Sequence, residues 1–219
     1  MFIEKSFSKE EIDHYLYLLA REYKRRNRKS KRVELVLVGG ASVLVNYGFR
    51  DSTTDIDAMI LADSVMKETI YAVAEKEHIP DGWLNADFQR SGSYSKSLFE
   101  HSEYYKTFAK VLEVRTIRGE YLLAMKLMSG RNYKRDLSDI VGIIECSKEE
   151  GNEITLEKID KAMEDLYGGW DMVDDYVKAV FQAALSDPDA WKKYEELVAE
   201  EDFNKAIKIE NLKRIKTKE

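Results

Sequence analysis

The sequence predicts an α+β fold, with strands and helices interleaved over residues 1–118 and a wholly helical region over 119–219 expected to pack on that core. Three observations carry this. The apolar runs at 33–38 and 55–61 have strand length and flank a short helical stretch. Residues 110–117 alternate as a half-buried strand does, with Val111, Glu113 and Arg115 on one side and Leu112, Val114 and Thr116 on the other. From Glu120 onward the apolar spacing is helical, broken by Gly151, Gly168-Gly169 and Pro188.

Taken in order, Ser8 and Glu11 form a capping box ahead of a helix reaching about residue 28, its apolar face made by Ile12, Tyr15, Leu16, Leu19 and Tyr23. A strand at 33–38, a turn at Gly39-Gly40, a helix at 41–47 and a strand at 55–61 follow. Asp63 is placed to cap a helix at 65–77, which the turn at Pro80-Asp81-Gly82 ends. Residues 83–88 read as a short strand, 89–107 as loop with a short helix, and 110–117 as the next strand. Five helices are expected after that, at 120–129, 136–146, 155–166, 172–185 and 189–208.

Composition narrows the function classes. The chain has 219 residues, 44% hydrophobic and 35% charged, with only two prolines, so no Pro-rich linker divides it. A single cysteine, Cys146, excludes an intrachain disulfide framework and a cysteine-based zinc site. His14, His78 and His101 lack metal-ligand spacing, and no Ser/His/Asp or Cys/His pattern surrounds Ser42, Ser52 or Cys146. No apolar stretch has membrane-spanning length and the start has no signal-peptide core, so a cytoplasmic location and no membrane are expected. Net charge is −6, against general nucleic-acid affinity, yet residues 21–32 carry eight basic side chains and one acid. That run reads either as a solvated helix end or as a landing strip for RNA or an acidic partner.

The chemistry concentrates at residues 33–61. Asp55 and Asp57 share one face of a strand while Ile56 points to the other. Paired carboxylates resist joint ionisation unless a cation sits between them. The glycines upstream let backbone approach a ligand, and amides at a helix N-terminus favour phosphate. Together they point to a site for a metal-bound nucleoside triphosphate. Neither the Walker pattern nor the dinucleotide fingerprint is present.

The segment Gly39-Gly40-Ala41, then Tyr47-Gly48-Phe49-Arg50, then Thr53-Thr54-Asp55-Ile56-Asp57 resembles the signature of nucleotidyltransferases of the DNA polymerase β-like superfamily. A second block is similar to minimal bacterial members that include the AbiE-type abortive-infection toxins. It comprises the helix 120–127 with Lys126, then Gly130-Arg131, then Lys134-Arg135-Asp136 and Asp139. The resemblance implies a mixed-sheet nucleotidyltransferase core with flanking helices. It also implies Mg²⁺ or Mn²⁺ on Asp55 and Asp57, and transfer of a nucleotide from a triphosphate such as ATP. Gly39, Gly40, Ser42, Arg50 and Thr54 would bind the nucleotide, together with Arg131 and Asp136. Lys126 would offset phosphate charge. Asp136 and Asp139 could orient Lys126, contact the second substrate or act as base, and Asp136 could equally cap its own helix. Glu113 is the favoured third metal carboxylate and Asp87 the weaker candidate; a salt bridge to Arg115 is the other reading of Glu113. Ala41 stands where many members have serine. The acceptor implied is a tRNA 3′ end, a protein hydroxyl or a small molecule such as an aminoglycoside, with tRNA or protein favoured. A toxin held by an antitoxin protein is one setting, and a non-catalytic nucleotide-binding regulator is the alternative.

Overall fold

A computed structural model describes residues 5–27, 32–61 and 64–216. Asp63, and Arg28, Lys29 and Lys31 of the basic run, lie outside the described residues. The chain divides into two compact units, residues 1–118 and 119–219. The architecture is α+β, a five-stranded mixed sheet with flanking helices and many C-terminal helices.

The first unit runs α1 (Lys9–Arg26), β1 (Val33–Leu37), α2 (Gly39–Tyr47), β2 (Ile56–Leu61), α3 (Ser64–Glu77), β3 (Leu84–Asn85), β4 (Ser102–Phe108) and β5 (Leu112–Ile117). Sheet order is β3-β2-β1-β5-β4. β1 pairs antiparallel with β2 and parallel with β5, which makes it the centre. Both halves of the capping box form at the start of α1: Ser8 Oγ accepts from the Glu11 amide and the Glu11 carboxylate accepts from the Ser8 amide. Leu35, Leu37, Ile56, Ala58, Leu112 and Val114 join residues of α1 and α3 in one buried cluster that includes Trp83. That cluster fixes the sheet and, with it, the ends of β1 and β2.

Two local readings need correction. Residues 102–108 form β4 and not loop. β4 is an edge strand whose Glu103, Tyr104, Lys106 and Thr107 are exposed, so it lacks the apolar alternation that would betray it. It also carries an irregularity between Tyr104 and Lys106. The turn into β5 is equally hidden. Ala109 and Lys110 both take left-handed φ values, 46° and 63°, and the Val111 amide donates to Phe108 O at 3.1 Å. That is a tight turn within a three-residue hairpin loop, built without the Asn or Gly that usually marks left-handed turn positions. β3 is only two residues, since a 3₁₀ turn takes over at Asp87–Arg90.

The second unit comprises α4 (Gly119–Ser129), α5 (Asp136–Glu149), α6 (Leu156–Tyr167), α7 (Asp175–Ser186) and α8 (Trp191–Lys216). α5 is buried over most of its length, from Asp136 to Ser147. Its N-cap, Arg135, makes no side-chain cap bond. Instead Glu201 of α8 supplies the acceptors, taking the Leu137 amide at 2.8 Å and the Ser138 hydroxyl at 2.6 Å. Among the described residues no helix is long and apolar enough to cross a membrane.

Glu201 is 2% exposed, and burial, aided by the nearby Asp139 charge, pushes its carboxyl up to about 7 against the Ser138 and Leu137 hydrogen bonds. The ordinary value is 4.5, so between these two pH values the folded chain holds a proton that the unfolded chain has released. Stability from this group is therefore present below about pH 4.5 and is lost as pH rises through about 7, by ~3 kcal/mol in all. Urea unfolding of wild type and Glu201→Gln at pH 5 and pH 8 checks this. The wild type should lose stability relative to the variant at the higher pH.

Candidate functional site

The site is built where β1 turns into α2. Val38 is extended, Gly39 takes φ +56°, and the helix starts at once with no side-chain cap. The amides of the first turn of such a helix have no intrahelical acceptor. β2 runs alongside, and the Val38 amide donates to Asp57 O at 3.0 Å. A Cβ placed on Gly39 would lie 3.7 Å from Asp57 Oδ2, so the Asp57 carboxylate faces the glycine turn. Ile56 is fully buried, whereas Asp55 and Asp57 are half-buried.

The loop between α2 and β2 returns to the same turn. A Cβ on Gly40 would sit 2.8 Å from Thr53 Oγ1, too close without a shift, and 3.1 Å from Arg50 Nη1, which would have to give way slightly. Thr53 is held there by a two-way backbone pairing with Phe7, at 2.7 and 3.0 Å, while its hydroxyl donates to Asp55 O at 3.1 Å. Glycine turn, Arg50, Thr53 and Asp57 thus gather in one place. The hydroxyl against the turn belongs to Thr53; Thr54 is exposed. The backbone pairing with Phe7, which aims the Thr53 side chain, has no sequence signature.

Two expected members lie elsewhere. Ser42 is fully buried and its Oγ accepts the Ile117 amide at 3.2 Å, tying α2 to β5 instead of reaching a phosphate. It lies one helical turn inside α2, past the open amides. Glu113 is in register with Glu34, whereas Leu37, at the turn, is in register with Thr116. With Ala58 opposite Leu37, Asp57 is level with Ile117, so Glu113 stands four residues away along the sheet, ~13 Å. It binds Arg115 at 3.2 Å, the salt-bridge reading. The residue that register does bring beside Asp57 is Asn85 on β3. Asn85 donates to Gly82 O and accepts from the Asp87 amide, and Asp87 itself is exposed. A two-residue strand leaves too little pattern for this neighbour to be read from sequence.

Lys126, Asp136 and Asp139 form a buried ion cluster within the second unit, joined by the partly exposed Arg131. Lys126 Nζ lies 2.8 Å from Asp136 Oδ1 and 2.7 Å from Asp139 Oδ2, and Arg131 Nε lies 2.7 Å from Asp136 Oδ2. Burial alone would raise Asp136, but the Lys126 charge and the Arg131 guanidinium outweigh it and hold the carboxyl well below the usual carboxylate range. Of the roles open to these acids, the geometry carries the orienting of Lys126. Asp136 accepts the Arg131 amide at 3.2 Å, and the N-cap of α5 is Arg135, so Asp136 does not cap its own helix.

Asp55 and Asp57 offer two oxygen-donor side chains at one strand end, a set that suits Mg²⁺, which binds one or two carboxylates and completes its shell with phosphate oxygens and water. Among the described residues no group of three or more His, Cys, Asp or Glu forms a metal cage.

The first unit therefore sets the Asp57 carboxylate against a glycine turn at the end of the central strand of a mixed sheet. A family model described as "Nucleotidyltransferase of unknown function (DUF6036)" matches residues 14–199. The chain belongs to that nucleotidyltransferase family. No curated protein and no solved structure matches it.

Two substitutions test the geometry. Gly40→Ala should destabilise the chain by ~1–3 kcal/mol through the Thr53 and Arg50 clash, and Thr53→Ala should relieve part of that cost, giving a non-additive cycle in urea unfolding. Lys126→Met should cost ~3–5 kcal/mol, because it leaves buried carboxylates without their cation; the same denaturation curves measure it.

Proposed function

We propose that the chain transfers a nucleoside monophosphate from a nucleoside triphosphate to a hydroxyl acceptor, with Mg²⁺ or Mn²⁺ held by Asp55 and Asp57. The observation that carries this reading is the Asp57 carboxylate facing the Gly39 backbone, 3.7 Å from where a side chain would begin. In it, the amides of Gly39 and Gly40 cradle phosphate oxygens, which a Cβ on either residue would obstruct. Arg50, seated against Gly40, offsets phosphate charge. Thr53 holds the carbonyl of Asp55 and so fixes the approach of β2 to the turn. When bound, the divalent cation supplies charge neutralisation to the triphosphate and to the departing pyrophosphate. A bond forms between the acceptor oxygen and the α-phosphorus as the bond to the bridging oxygen of pyrophosphate breaks; pyrophosphate departs and the acceptor's hydroxyl proton passes to solvent. Positioning and electrostatics then account for the rate.

The acceptor proposed is macromolecular, a tRNA 3′ end or a protein side chain. The basic run at 21–32, whose Arg21, Lys24, Arg25, Arg26 and Arg32 are exposed, supports a polyanionic or acidic partner. In a toxin–antitoxin setting of the AbiE type, the same transfer would arrest growth when the chain is expressed alone.

The experiment uses the four α-³²P-labelled triphosphates with Mg²⁺ or Mn²⁺, offered with total tRNA and with cell lysate. Label should pass to one acceptor class, and Asp57→Asn should reduce it by ~10²-fold or more. Equal labelling by wild type and variant would remove the catalytic assignment. Saturable nucleotide binding without labelling would favour the regulator.

A further inference from the structure

The C-terminal half of α8 carries a feature that nucleotide transfer does not use. α8 is 26 residues long, ~39 Å. Its first half is seated on α5 through the buried Leu197 and Glu201. At helical spacing that stripe continues through Asn204, Lys208, Asn211 and Ile215. Here the helix is open: Phe203 is 66% exposed, Leu212 52% and Ile215 60%. Of the twelve large apolar side chains exposed among the described residues, five fall between positions 203 and 215. Three of the five, Ile207, Leu212 and Ile215, line one groove, and exposed apolar side chains gathered in this way mark an interaction surface.

The surface is a shallow, open groove. Asn132 and Tyr133, just ahead of α5, form the second wall of a groove of about 340 Å³ whose α8 wall includes Ile207, Leu212 and Ile215. Asn204 Nδ2 donates to Asn132 O at 2.9 Å and Lys208 Nζ lies 3.1 Å from the Tyr133 ring centre, so the two walls are fixed to each other. Between Asn204 and Ile215 the groove spans ~17 Å, three turns of a helix.

Charge chooses the occupant. Residues 203–215 hold Lys205, Lys208, Lys213 and Arg214 against Glu210, a local excess of positive charge in a chain of net charge −6. We propose that this groove docks an acidic amphipathic helix of a partner protein, its apolar stripe on Ile207, Leu212 and Ile215 and its carboxylates on the flanking lysines. A flat anionic membrane fits less well, because Asn132, Asn204 and Asn211 line the groove and their amides suit a polar-edged helix. A second copy fits less well too: the acid-rich α6 already buries its own apolar face through Ile159, Met163 and Leu166.

The test is fluorescence anisotropy of the full chain with a fluorescein-labelled 14-residue model helix, rich in glutamate and with leucines at i, i+3, i+4 and i+7. Saturable binding is expected, weakened at least tenfold by the double change Leu212→Glu and Ile215→Glu, and likewise by Lys208→Glu. Thermal unfolding should be unchanged in the double variant, since both residues are exposed. Four results would each overturn the proposal: equal binding of a scrambled peptide of the same composition, binding indifferent to these variants, binding of phosphatidylserine vesicles in place of the peptide, or a wild-type dimer that Leu212→Glu dissolves. Nucleotide labelling is a separate readout, so failure here leaves the transfer reading untouched.

Discussion

The close approach of two backbone segments at Gly39 and Gly40 is the constraint on which the candidate site depends. One glycine turns the chain from β1 into α2 with a left-handed φ; the other lies where any side chain would strike Thr53 and Arg50. Because neither position carries a Cβ, the start of α2 can face the start of β2, and Asp57 comes to face the turn. The pairing of Thr53 with Phe7 ties the same loop to the segment ahead of α1. The capping box then anchors that segment to the buried face of α1. Packing remote from the acids therefore fixes where the acids point.

The second unit solves a different electrostatic problem. Lys126 and Arg131 are matched against Asp136 and Asp139, so the charges around the start of α5 balance within one unit. Glu201 adds a fifth ionisable group, held at the helix start by backbone and hydroxyl donors. A pairing this closed is strongly specified: removing one partner strands another in a low-dielectric setting. It also explains why Lys126 stands in an otherwise apolar stretch of sequence.

Most of the architecture was legible because its signals are local. The capping box at Ser8, the apolar strands at β1 and β2, and the helical periods after Glu120 are each written in consecutive residues. What escaped was written in pairing. β4 is polar because it is an edge, and the hairpin before β5 uses Ala109 and Lys110 where glycine or asparagine would have announced it. At the site, residue types and spacing pointed to Gly39, Gly40, Arg50 and the paired acids. Register decided the rest. It sends Glu113 down the sheet to Arg115 and brings Asn85 beside Asp57, and helix phase turns Ser42 inward. Thr53 and Thr54 are adjacent and chemically alike, and only the Phe7 pairing distinguishes them.

The central claim is that the glycine turn and the facing acids together hold a metal-chelated polyphosphate. Calorimetric titration with a non-hydrolysable α,β-methylene triphosphate, with and without Mn²⁺, addresses it most directly. Wild type should bind only when the ion and the nucleotide are both present, and Asp57→Asn should abolish the ion's contribution. Nucleotide binding of equal strength in the absence of the ion and in the variant would contradict it.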